Sequence, residues 1–129
     1  VAALSGNVAQ KLRERTLENF RKQKINILIC TDVAARGIDV SHVTHVIVCD
    51  HPEDKEVYVH RSGRTARAGK EGVAISLITP VEEIELQKTA ADFGIQFEKM
   101  PPITDEMLTN RLQERLLDSL EREKRNTYL

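Results

Sequence analysis

Ile25-Asn26-Ile27-Leu28-Ile29-Cys30-Thr31-Asp32-Val33-Ala34-Ala35-Arg36-Gly37-Ile38-Asp39 decides the fold. Its opening, Ile25 to Cys30, is rich in β-branched residues and reads as a buried strand. From Thr31 the chain turns polar, so a loop leaves the carboxyl end of that strand. Ligands bind at such strand ends in open parallel sheets. Val43 to Cys49, broken only by Thr44 and His45, is a second apolar run. Near-continuous apolar strands separated by helices indicate a parallel sheet covered on both faces.

Working outward, Val1 to Leu4 is a short strand closed by the turn residues Ser5-Gly6-Asn7. Val8, Leu12, Leu17 and Phe20 then fall at helical spacing. A helix is expected over Asp54 to Ser62 and a strand over Val73 to Ile78. Thr79-Pro80-Val81-Glu82 is a helix start, with Thr79 as N-cap, Pro80 in the first turn and Glu82 closing a capping box. Gly94 ends that helix, and Ile95 to Glu98 alternates like an edge strand.

Met100-Pro101-Pro102 closes the globular unit, giving a domain at 1–100 and an appendage at 101–129. The appendage is an amphipathic helix whose stripe is Leu108, Leu112, Leu116, Leu117 and Leu120. That stripe packs on the parent domain, or leads to a further C-terminal domain or a dimer partner.

Lys plus Arg number 19 against 20 Asp plus Glu, so no basic field draws the chain to nucleic acid. Any hold on phosphate must come from a few placed side chains. No apolar stretch is long enough to span a bilayer, and the expected location is intracellular, in the cytoplasm. Cys30 and Cys49 read as small core residues without a disulfide. His42, His45 and His51 show no metal spacing. The lack of Trp argues against a base-stacking platform. Opening without Met on a strand, the chain reads as a piece of a longer protein.

A further polar segment is His60-Arg61-Ser62-Gly63-Arg64-Thr65-Ala66-Arg67-Ala68-Gly69. A trio of arginines at i, i+3 and i+6 is more often a solvated basic face. Here the small residues Gly63, Ala66, Ala68 and Gly69 would let Arg61, Arg64 and Arg67 approach a neighbouring surface. Guanidinium forks suit phosphate oxygens and a transferring phosphoryl group. Gly63 to Lys70 imitates a phosphate-binding loop but is not one. Five residues separate Gly63 from Gly69 where that motif has four, and Glu71 stands where Ser or Thr must bind magnesium.

This segment resembles motif VI of the DEAD-box helicases, H-R-x-G-R-x-x-R. Thr31 to Asp39 resembles their motif V, with its A-R-G-[LI]-D ending. Leu4-Ser5-Gly6-Asn7-Val8-Ala9-Gln10 is similar to the segment after motif IV, L-H-G-x-x-x-Q, with Ser5 in place of His. The order is right, and the resemblance covers roughly residues 1 to 100. His60 sets the chain apart from DEAH and RecQ-type relatives, which usually open this loop with Gln.

The resemblance implies an α/β fold, a RecA-like parallel sheet sandwiched by helices, with the C-terminal amphipathic helix appended. It implies the second RecA-like domain of an ATP-dependent RNA helicase that unwinds or remodels RNA duplexes. Arg64 and Arg67 match arginine fingers that reach the ATP γ-phosphate. Asp39, with the backbone near Gly37, matches the contact to nucleotide ribose. His60 and Arg61 match residues that bridge to the D-E-A-D carboxylates of a first domain, and Arg36 matches the same interdomain network. Gln10, Arg13 and Thr31 match positions that hold RNA phosphates, while Asp32, Ser62 and Thr65 support loop shape. ATP and Mg2+ are expected to be bound mainly by the first domain, whose Q motif, Walker A, D-E-A-D and S-A-T segments are absent here, as is the motif IV strand. RNA and that first domain are the implied partners. The competing reading is a non-catalytic RNA-binding or assembly module.

Overall fold

Strands β1 (Ala2–Leu4) and β2 (Leu28–Cys30) pair in parallel, with Leu4 opposite Cys30. Strands β3 (His45–Val48) and β4 (Val73–Ser76) form a second parallel pair, with Val48 opposite Ser76. Parallel neighbours need a crossover rather than a hairpin. Helix α1 (Gln10–Arg21) lies in the first crossover and helix α3 (Lys55–Ser62) in the second. A single turn, α2 (Asp32–Ala35), follows β2, where the sequence reads as loop throughout. The computed structural model describes residues 1–67 and 69–127, so Ala68 of the arginine-rich segment lies outside the described residues.

Each strand pair has its own core. Leu4 packs with Leu17 and Phe20 of α1 and with Ala34, Ile38 and Val40 from the segment after β2. Val48 packs with Tyr58 of α3 and with Leu86 of helix α4 (Pro80–Phe93). Alternate strand residues face the other way, and Ile29 and Ile47 are both 60% exposed. The helices that cluster with Leu4 and Val48 therefore cover one side of these strands. Cys30 and Cys49 are exposed, contrary to their expected place in the core. Burial of the sulfur and the Asp32 carboxylate still push the Cys30 thiol up.

Helix α4 starts as its sequence requires. The Thr79 hydroxyl accepts from the Glu82 N–H, and the Glu82 carboxylate accepts from the Thr79 N–H at 2.7 Å. Gly94 ends the helix with φ at 65°. Ile95 to Glu98 forms no strand, so the edge-strand expectation fails. The Ile95 N–H instead bonds the Ala90 carbonyl at the helix end.

The chain divides into two units, Val1–Ile95 and Gln96–Leu129. The second carries helix α5 (Asp105–Thr127), whose Leu108, Leu112, Leu116, Leu117 and Leu120 stripe is exposed. Among the described residues no helix is long and apolar enough to cross a membrane.

Candidate functional site

The segment from Thr31 to Val40 is pinned by its apolar members. Ala34, Ile38 and Val40 are buried, while Asp32, Arg36, Gly37 and Asp39 between them are exposed. Gly37 turns the chain outward at φ 74°, a conformation that favours glycine. A side chain there would meet nothing within 4 Å, so its backbone is open to a ligand.

Arginines from the other segments converge on this one. Arg61, in the last turn of α3, donates from Nε and Nη2 to the two Asp32 carboxylate oxygens at 2.7 and 2.6 Å. Its Nη1 donates to the Asp50 carbonyl, just beyond β3, at 2.5 Å. Arg64 donates to the Ile38 carbonyl at 3.1 Å and to the His60 carbonyl at 3.3 Å. Arg67 donates to the Gly63 carbonyl and pairs with Asp39 at 3.5 Å. From the far side, Nη2 of Arg13 on α1 donates to the Ala34 and Arg36 carbonyls at 2.8 and 3.2 Å.

The three arginines do not share one helix. Helix α3 stops at Ser62, Gly63 is its C-cap, and Ala66 adopts φ 56°. Arg64 and Arg67 reach the Thr31–Val40 segment from a turn rather than from one helical face.

Asp32, Ser62 and Thr65 do shape these loops. The Ser62 hydroxyl donates to the Tyr58 and Val59 carbonyls, and buried Thr65 donates to the Val43 carbonyl at 2.5 Å. A participant missed in the sequence is Gly72, which looks like an ordinary turn glycine. A Cβ there would collide with Thr65 Oγ1 and stand 2.5 Å from the Ala66 nitrogen, so the backbone of the arginine turn rests directly on it.

His60 and Arg36 are exposed, and both line a groove of about 150 Å³ with Asp32, Ala35, Arg61 and Arg64. Gln10 opens α1 and Thr31 directly follows β2, and the Leu4–Cys30 register brings the ends of β1 and β2 side by side. Gln10 bonds Glu14, and the Thr31 N–H donates to the Leu4 carbonyl, leaving its hydroxyl exposed. The described residues hold no cluster of three or more His, Cys, Asp or Glu side chains placed for a metal.

Residues 1–69 match the family described as helicase conserved C-terminal domain. DEAD-box ATP-dependent RNA helicase CshC of Bacillus cereus is 49% identical over 98 residues, 76% of this chain and 25% of that protein. CshA of Geobacillus kaustophilus is 43% identical over 129 residues, 97% of this chain and 28% of that protein. The chain thus spans about a quarter of the length of these relatives. Among solved structures, S. cerevisiae Dbp5 bound to RNA and ADP BeF3 superposes with a TM-score of 0.73 at 32% identity, covering 90% of this chain and 32% of that one. The E. coli DEAD-box protein SrmB bound to regulator of ribonuclease activity A gives 0.66 at 38% identity, over 81% of this chain and 60% of that one. The parallel βαβ units, the order of the motif segments and these likenesses together make the chain a member of the helicase conserved C-terminal domain family, of the RecA-like DEAD-box type.

Proposed function

We propose that the chain works as the second RecA-like domain of an ATP-dependent RNA helicase that remodels or unwinds RNA duplexes. The observation that carries this reading is the meeting of Arg64 and Arg67 with Ile38 and Asp39 on one part-exposed surface beside Gly37. Both arginines are held there by contacts that a stronger anion can replace: a carbonyl at 3.1 Å and a carboxylate at 3.5 Å. When a first domain closes with ATP, Arg64 and Arg67 turn to the γ-phosphate and stabilise the charge of the transferring phosphoryl group. Asp39, released, accepts from ribose hydroxyls beside the open Gly37 backbone. Exposed His60, with Arg61, meets the carboxylates of the first domain and Arg36 joins the same interdomain network, while the first domain also supplies the phosphate loop and the magnesium ligands.

Gln10, Thr31 and Arg13 hold RNA phosphates at the carboxyl ends of β1 and β2, without reading bases. With so few cations, affinity comes from both domains gripping one strand together.

The test is RNA-stimulated ATP hydrolysis by the full-length protein and by this chain alone. Hydrolysis is expected from the former and none from the latter. Turnover by this chain alone, or none by the full-length protein with RNA, overturns the reading.

A further inference from the structure

We propose that Asp32 is a positioning residue for ATP turnover, acting through Arg61 to fix where Arg64 and Arg67 stand. The inference rests on the arginine roles proposed above and adds a residue that touches neither nucleotide nor RNA.

The two arginine–aspartate pairs of this site differ in kind. Arg67 and Asp39 meet through one nitrogen at 3.5 Å, with the carboxylate 89% exposed. Arg61 and Asp32 meet fork on fork at 2.7 and 2.6 Å, with the arginine side chain only 25% exposed. A bidentate, charge-assisted pair is the stronger and more directional of the two. The third nitrogen of Arg61 is committed as well, to the Asp50 carbonyl. Three of the five N–H donors of Arg61 are thus engaged within the domain, leaving one on Nη1 and one on Nη2. Arg61 is therefore a clamp within the domain, joining the exit of β2, the exit of β3 and the last turn of α3.

Local chemistry favours the clamp. Asp32 is the first residue of α2 and Arg61 lies in the last turn of α3, so each charge sits at the helix end that prefers it. Its mechanical consequence follows from chain order. Helix α3 ends one residue after Arg61, and Gly63 and Arg64 come next. Wherever Arg61 is held, the start of the arginine turn is held too. Thr65 on Val43 and Gly72 under Ala66 fix the other end of that turn. Without Asp32 the α3 end of the turn loses its anchor. A shift of about 1 Å at a catalytic group can cost about 10²-fold in rate.

The experiment uses the full-length protein with Asp32→Ala, Arg61→Ala, the double variant and Asp32→Glu. It measures kcat and KM for RNA-stimulated ATP hydrolysis together with melting temperature. Either single variant should lower kcat by about 10- to 10²-fold with KM for ATP little changed and melting temperature lowered by only a few degrees. The double variant should be no worse than the poorer single one, and Asp32→Glu should retain more activity than Asp32→Ala. Wild-type kcat in Asp32→Ala, losses that multiply in the double variant, or losses that track a fall in melting temperature would each overturn the proposal. The underlying arginine assignment fails differently: Arg64→Ala and Arg67→Ala would then keep wild-type turnover, whatever Asp32→Ala does.

Discussion

Arg67 Nη1 and Asp39 Oδ1 stand 3.5 Å apart although 28 residues separate them in the chain. Both belong to the proposed nucleotide surface, so in the free domain two groups meant for ATP neutralise each other. An exposed pair of this length contributes only about 0–1 kcal/mol, which makes it easy to exchange for a phosphate or a ribose.

Asp39→Ala should therefore barely change stability. In the full-length protein it should raise KM for ATP by about tenfold, the scale of one lost hydrogen bond to a charged group. Steady-state kinetics beside a thermal melt checks both halves. An unchanged KM would remove Asp39 from the nucleotide site.

The Asp32–Arg61 clamp sets a pH dependence. Donation by the Arg61 guanidinium holds the Asp32 carboxyl below its ordinary value, and the same bond pushes Arg61 up, so the arginine stays charged throughout. A depressed carboxylate contributes stability that is fully present above its unfolded pKa of about 3.9 and is lost as pH falls through the folded value. Denaturation of this chain should show Asp32→Asn less stable than wild type by up to about 1 kcal/mol near neutrality, a size limited by the exposure of the carboxylate. That gap should close as pH drops below about 3.9. A gap that persists in acid would mean that the pair is not held by its charge.

Gly72→Ala should destabilise Val1–Ile95 by about 1–3 kcal/mol, because the new methyl group enters space held by Thr65 and the Ala66 backbone. Thr65→Ser in the same background should recover part of the loss by removing one of the atoms that the methyl would meet. Melting curves decide it, and a neutral Gly72→Ala would show that this contact is loose.

RNA binding by this chain alone should be weak and indifferent to sequence. Its salt dependence should be shallow, since each phosphate neutralised on a single strand adds only about −0.7 to the slope of log K against log salt. As the one cation of its proposed set, Arg13 should account for about that much, and Arg13→Ala should flatten the slope accordingly. A steep slope untouched by Arg13→Ala would move the site elsewhere.

Much of this was legible in the sequence because it is written in local rules. The Thr79-Pro80-Val81-Glu82 cap and the Gly94 stop formed as their chemistry demands. The strand cores at Leu28–Cys30 and His45–Val48 fell inside the apolar runs, though shorter than those runs. What stayed hidden depends on distant pairings. Nothing in a linear reading ties Asp32 to Arg61, for that contact exists only once the segments after β2 and β3 are folded together, and composition alone does not set the path of the turn that lays Ala66 on Gly72. The exposure of Ile29 and Ile47 was hidden for a related reason. An apolar run reports that a strand can be buried on both sides, while the helices that pack here cover one.

The most direct measurement of the central claim is single-turnover ATP hydrolysis by the full-length protein with saturating RNA, comparing wild type with Arg64→Ala and Arg67→Ala. Loss of an arginine that stabilises the transferring phosphoryl group is expected to slow the chemical step by about 10³- to 10⁵-fold. Melting temperatures should stay at the wild-type value, because both side chains are part-exposed and each gives up only weak contacts within the domain. Hydrolysis at near wild-type rate in either variant, with the fold intact, would contradict the account.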